Sequence, residues 1–146
     1  MNTRFGLLGL MAVVMMGGGF LSKAKAQIVV ITDVQYTPPA GQNKAKANPK
    51  GTLSLAGNGD SYKVVVDYGT INGGIFTPDA NVNAGGDTVA IISRRAANHN
   101  WTIVNGPHEL TNPPAGLHVR ARIQKWSALT TTWNDVAGAV AYAPCP

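Results

Sequence analysis

Leu117-His118-Val119-Arg120-Ala121-Arg122-Ile123-Gln124-Lys125-Trp126 carries the clearest period in the chain. Leu117, Val119, Ala121 and Ile123 fall on one side of an extended backbone, and His118, Arg120, Arg122 and Gln124 fall on the other. That two-residue alternation is the mark of a strand with one buried face. Upstream, Tyr62-Lys63-Val64-Val65-Val66-Asp67-Tyr68 repeats it, with Tyr62, Val64, Val66 and Tyr68 on one face and Asp67 on the opposite, solvent side. Gly57-Asn58-Gly59-Asp60 is a tight-turn signal that joins this segment to Thr52-Leu53-Ser54-Leu55 as a hairpin.

Working outward, residues 28–36 are dense in β-branched side chains and end at Pro38-Pro39-Ala40-Gly41, so they read as a first strand. Residues 88–92 are apolar on both faces, as in a central strand, and residues 101–104 and 136–143 supply two more, with a short one near Ile75-Phe76. Residues 42–50 read as a polar loop in which Lys44, Lys46 and Lys50 are solvated and Pro49 blocks a helix. Residues 127–135 read as a connection. The expectation is an all-β domain of about seven to eight short strands in a single antiparallel sandwich, with a barrel as second choice and no amphipathic helix.

Leu110-Thr111-Asn112-Pro113-Pro114-Ala115-Gly116-Leu117-His118-Val119-Arg120-Ala121 resembles the turn and penultimate strand of fibronectin type III and other immunoglobulin-like domains, over about a tenth of the chain. The resemblance implies an immunoglobulin-like sandwich.

Residues 1–26 read as an address. Arg4 opens a positive start, an apolar run from Phe5 to Met16 follows, Gly17-Gly18-Gly19 breaks it, and Ala24-Lys25-Ala26 precedes Gln27. This is a secretory signal-peptide pattern with cleavage after Ala26, leaving a sandwich domain over residues 27–146. The alternative is an uncleaved anchor, since residues 5–22 carry no charge. At ~1.5 Å per residue those span only about 27 Å, short for a bilayer core. The reading is a secreted or periplasmic protein with no stable membrane insertion after cleavage.

The charge balance depends on that cut. The 146 residues hold 12 Lys+Arg against 7 Asp+Glu, a formal +5. Arg4, Lys23 and Lys25 leave with the leader, so nine bases against seven acids remain, a net charge of +2. The whole-chain basicity therefore gives no case for nucleic acid. Hydrophobic residues at 45% and charged ones at 13% exclude disorder throughout.

Candidate sites follow from residue chemistry. Trp126 and Trp133 are candidate platforms for stacking a sugar ring, whereas Trp101 alternates with Ile103 and reads as core. His118, Arg120 and Arg122 form a polar row suited to an anionic ligand, with Arg94-Arg95 in reach, or else an ordinary solvated face. Asp79, Asn81, Asn83 and Asp87 space oxygen-bearing side chains as calcium requires, although Ala84 and Ala90 stand where a calcium loop needs Gly and Glu. The leading reading there is an Asx-rich turn, with calcium as the one cofactor alternative. Asn100-Trp101-Thr102 is a glycosylation sequon. Cys145, between Pro144 and Pro146, reads as an exposed tail thiol, able to link two copies as a disulfide homodimer; a single Cys excludes any internal disulfide.

Catalysis finds no motif: there is no nucleophile elbow and no phosphate loop, Glu109 is the sole Glu, and His99, His108 and His118 have no metal-ligand spacing. The expectation is a non-catalytic binding or structural protein meeting an extracellular protein or glycan surface. The alternatives are a small carbohydrate-binding module, and an enzyme drawing on His108, Glu109, His118 and the aspartates.

Overall fold

The computed structural model describes residues 27–39, 43–55, 60–83, 88–93 and 98–146. The expected leader (residues 1–26), the turn expected at Gly57-Asn58-Gly59, Asp87 and Arg94-Arg95 lie outside them. Among the described residues nine strands follow in order: β1 (Ile28–Thr37), β2 (Lys44–Ser54), β3 (Tyr62–Asn72), β4 (Ile75–Pro78), β5 (Thr88–Ser93), β6 (Asn98–Thr102), β7 (His108–Thr111), β8 (Leu117–Ser127) and β9 (Thr132–Pro144). No helix occurs among the described residues.

All pairings are antiparallel, in two sheets. In one, β2 lies between β1 and the collinear pair β6 and β7; in the other, the order is β4, β3, β8, β9, with β5 also on β3. The chain crosses between sheets after β2, after β5 and after β7. Strands one, two and six thus face strands three, eight and nine as the two layers of a β-sandwich.

The two alternating segments meet as expected. β3 and β8 pair along their length, from Tyr62 opposite Lys125 to Thr70 opposite Leu117. Their inward rows, Tyr62, Val64, Val66 and Tyr68 with Leu117, Val119, Ala121 and Ile123, are buried and form one half of the core. The other sheet contributes Val29, Ala45, Ala47, Leu53, Trp101 and Leu110. Trp101 is core, as its alternation indicates, and its indole Nε1 donates to Thr52 O at 3.2 Å.

β2 corrects the expected loop at residues 42–50. Ala45, Ala47, Pro49, Gly51 and Leu53 alternate inward, while Lys44, Lys46 and Lys50 point to solvent. The inward residues are small, so the strand carries little hydrophobic signal. Two of the lysines are ion-paired across the sheet, Lys44 with Glu109 at 2.6 Å and Lys50 with Asp33 at 3.0 Å. Pro49 is tolerated because it falls in the gap between β6, which ends at Lys50, and β7, which begins at Ala47. On that edge its missing N–H leaves no ladder bond unmade.

Two further elements depart from the sequence reading. The strand expected at residues 101–104 is β6, displaced toward its N-terminal side, and a turn with Asn105 and Gly106 at positive φ separates it from β7. The expected connection at residues 127–135 is mostly hairpin: β8 and β9 stay paired to Ser127 opposite Thr132. A wide bulge interrupts β9 next, where Arg122 lies opposite Val140 but Gln124 lies opposite Asp135. Gly138, at φ 74°, supplies the left-handed residue it needs.

Candidate functional site at the hairpin end

The β8–β9 hairpin places Trp126 directly opposite Trp133. Both are half-buried, with ring centroids 5.4 Å apart and planes tilted by 60°. This edge-toward-face packing is a favoured aromatic geometry. Lys63, on the adjacent β3, sets its ammonium 4.8 Å from the Trp133 ring centroid. The two candidate platforms therefore differ in surroundings: Trp133 is covered by a cation, whereas Trp126 borders an open cleft of about 570 Å³.

That cleft lies under the hairpin turn and reaches to the start of β1. Gln27, Asp60, Lys125, Asn134 and Asp135 contribute polar groups, and Trp126, Ala128, Leu129 and Val136 contribute apolar surface. Leu129, at the tip of the turn, is 95% exposed. Lys125 and Asp60 are paired at 2.5 Å, and this hydrogen bond holds the Lys125 pKa above its ordinary value. Gln27 Nε2 donates to the Tyr62 hydroxyl at 2.7 Å, and that hydroxyl lies 3.4 Å from Asp60 Oδ2. Gln27, Asp60, Lys125, Asn134 and Asp135 were not legible as a site, since they come from four separate segments; Trp126 was the one local signal.

The His118, Arg120 and Arg122 row occupies the outer face of the same sheet, and it is committed to internal partners. Asp67, 2% exposed, lies under it. Arg120 Nε donates to Asp67 Oδ1 at 2.8 Å and its Nη2 pairs with Oδ2. Arg122 Nη2 lies 3.7 Å from Asp67, and its Nη1 donates to both oxygens of Asp135 at 2.8 and 2.9 Å. The β9 bulge brings Asp135 there, and Gln124 Nε2 adds a bond at 2.8 Å. Burial raises the Asp135 pKa, but the Gln124 and Arg122 bonds outweigh it and leave it below the ordinary carboxylate value. Two carboxylates, Asp67 and Asp135, thus pair with Arg120 and Arg122 within the sheet. Asp67, expected in solvent, is buried because Arg120 lies over it and rests its guanidinium 4.5 Å from the Phe76 ring. Phe76 in turn packs on Tyr142 at 5.5 Å. His118 donates from Nδ1 to Gly116 O at 2.9 Å.

The proposed calcium ligands within the described residues do backbone work. Asp79 Oδ1 accepts from the N–H groups of Asn81 and Val82, both at 2.9 Å, which is an Asx turn. Asn83 reaches β3: its Oδ1 accepts from Tyr68 N–H at 2.9 Å, and its Nδ2 donates to Tyr68 O at 2.7 Å and Asp79 O at 2.6 Å. β5 pairs with β3 up to Val66 and β4 pairs from Gly69. The Asn83 amide thus bridges the stretch of β3 edge between them. Asp79 and Asn83 thus form the expected Asx-rich turn, which closes a sheet edge; Asp87 lies outside the described residues, and no group of three or more His, Cys, Asp or Glu gathers among those described.

The histidines and Glu109 do not converge. His108 packs on Tyr68 with ring centroids 5.3 Å apart, and desolvation lowers its pKa. Glu109, one residue on, points to Lys44, and His118 belongs to the opposite sheet. Asn100 of the sequon is exposed on β6 beside the buried Trp101.

Cys145 departs from the expectation of an exposed tail thiol. Its N–H donates to Leu117 O at 2.9 Å, extending the β8–β9 pairing, and its side chain packs half-buried against the core. Burial pushes the thiol up to about 11. A thiol so placed is a poor partner for an intermolecular disulfide, because the thiolate is the reactive species.

No family model matches the chain, and no match is found among curated proteins or solved structures.

Proposed function

We propose that this protein is an exported, non-catalytic binding module, secreted or periplasmic, that holds an uncharged saccharide in the cleft at the β8–β9 hairpin. The observation that carries this reading is the lining of that cleft: the Trp126 indole beside the amides of Gln27 and Asn134 and the carboxylates of Asp60 and Asp135. A sugar offers an apolar C–H face to an aromatic ring and a rim of hydroxyls to planar amide and carboxylate groups. An uncharged ligand fits because the two carboxylates are already paired, Asp60 with Lys125 and Asp135 with Arg122. Export rests on the leader pattern of residues 1–26 and the predicted cut before Gln27.

The test is a panel of neutral oligosaccharides titrated against the wild-type protein and against Asn134→Ala and Trp126→Ala, read by tryptophan fluorescence and calorimetry. One class of sugar should bind, and both variants should weaken it at least tenfold while keeping the wild-type circular dichroism spectrum. Asn134→Ala serves as the second probe because Trp126→Ala also removes the Trp133 contact. Absence of binding across the panel would overturn the saccharide reading in favour of structural association.

A further inference from the structure

We infer that Gln27 is a modification site: once the leader is removed, its side chain closes on its own α-amino group to form a pyroglutamate that becomes a neutral wall of the hairpin cleft. This rests on the export reading above. Two independent observations meet at this residue. The predicted cut after Ala26 makes Gln27 the new amino terminus, and an amino-terminal glutamine has the chain length to form a five-membered lactam. The structure then leaves that terminus no free tail, since Ile28 already pairs with Ser54 in β1 and Gln27 itself borders the cleft.

The amide is held where this chemistry has a use. Its Nε2 donates to the Tyr62 hydroxyl at 2.7 Å, with Asp60 and then Lys125 beyond. In the closure the neutral α-amino nitrogen attacks Cδ and a new C–N bond forms. The Cδ–Nε2 bond breaks, and Nε2 leaves as ammonia, taking its third hydrogen from the attacking amine. No oxidant, reductant or second substrate enters. The α-amino group, with an ordinary pKa of about 7.7–8.0, would otherwise bring a titrating positive charge to the cleft. The lactam removes that charge and replaces the hydrogen-bonded Nε2 with a neutral ring amide at the edge of the cleft.

The experiment is export of the full chain, purification of the processed protein, and intact-mass and N-terminal peptide mass spectrometry, with Gln27→Asn in parallel. Asparagine keeps an amide but is one carbon too short for the ring. Expected is a wild-type chain that begins at residue 27, lacks the mass of one ammonia and resists Edman degradation, and a variant that begins at residue 27 with a free amine. A wild-type chain that begins at residue 27 and keeps its ammonia on prolonged incubation would overturn the inference and leave export standing. Loss of ammonia from Gln27→Asn as well would also overturn it, by placing the loss at another residue. A chain that begins elsewhere, or keeps its leader, would overturn the export reading and this inference with it.

Discussion

Replacing Asp67 by Asn tests the least expected feature of the fold, a carboxylate buried on the outer face of a sheet. Asn has the same shape, so the change opens no cavity and isolates the charge. The Asp67 side chain is 3% exposed, and its partners Arg120 and Arg122 are 21% and 16% exposed, so all three are largely withdrawn from water. Removing one partner of a buried ion pair costs about 3–5 kcal/mol, mostly by leaving the other charge uncompensated. Here Arg122 keeps both oxygens of Asp135, and Arg120 keeps the Phe76 ring and a fifth of its surface in water. The expectation therefore sits at the lower end, about 3 kcal/mol. For a domain of this size that corresponds to a fall in Tm of about 12 °C. Urea unfolding followed by tryptophan fluorescence provides the measurement, with a lowered midpoint and an unchanged slope. The double variant with Arg120→Met should lose less than the sum of the two singles, because they share one interaction. A loss under about 1 kcal/mol, the value of an exposed pair, would refute the claim that Asp67 is held as a buried charge.

Three further outcomes follow from the same structure. Asn83→Ala orphans the N–H of Tyr68 and removes one donor to its carbonyl at the edge between β4 and β5, so stability should fall by about 2 kcal/mol and exchange of the Tyr68 amide should speed up in NMR; unchanged exchange would refute the bridging role. Gly51→Ala would place a methyl group 1.8 Å from Val30 O and 2.9 Å from the Trp101 ring, and because one obstacle is backbone the cost should reach about 3 kcal/mol in urea melts, against a near-neutral result if β1 and β2 can part there. The Cys145 thiol, its pKa raised to about 11 from the ordinary 9.0, should react with a disulfide reagent slowly at pH 8, faster as pH climbs toward that value, and at once in denaturant; equal native and denatured rates would show the side chain to be exposed.

The legible parts of this fold were those with large inward side chains. β3 and β8 announce themselves because Val, Ile, Leu and Tyr alternate with polar residues, and the same alternation identifies which face each buries. β2 was illegible for the complementary reason: its inward residues are Ala, Ala, Pro, Gly and Leu, small for the most part, and at Gly51 the Trp101 ring leaves no room for a side chain. Of the candidate site, Trp126 was visible as an aromatic at a strand end. The cleft it borders was not, since a cleft is a property of several segments at once.

Local pattern alone determined the all-β class, the inward rows of the two central strands and the core position of Trp101. Alternation, turn residues and apolar runs act over a few neighbouring residues, so their consequences can be read without knowing what lies across the sheet. The tertiary structure alone decided that Arg120 and Arg122 face Asp67 and Asp135, that Asn83 closes a sheet edge, that Cys145 packs inward, and that Gln27 meets Trp126 across one cleft. Each of these couples residues far apart in the chain. Whether a charge is free or spent depends on that pairing, and register between strands is the physical quantity that sets it.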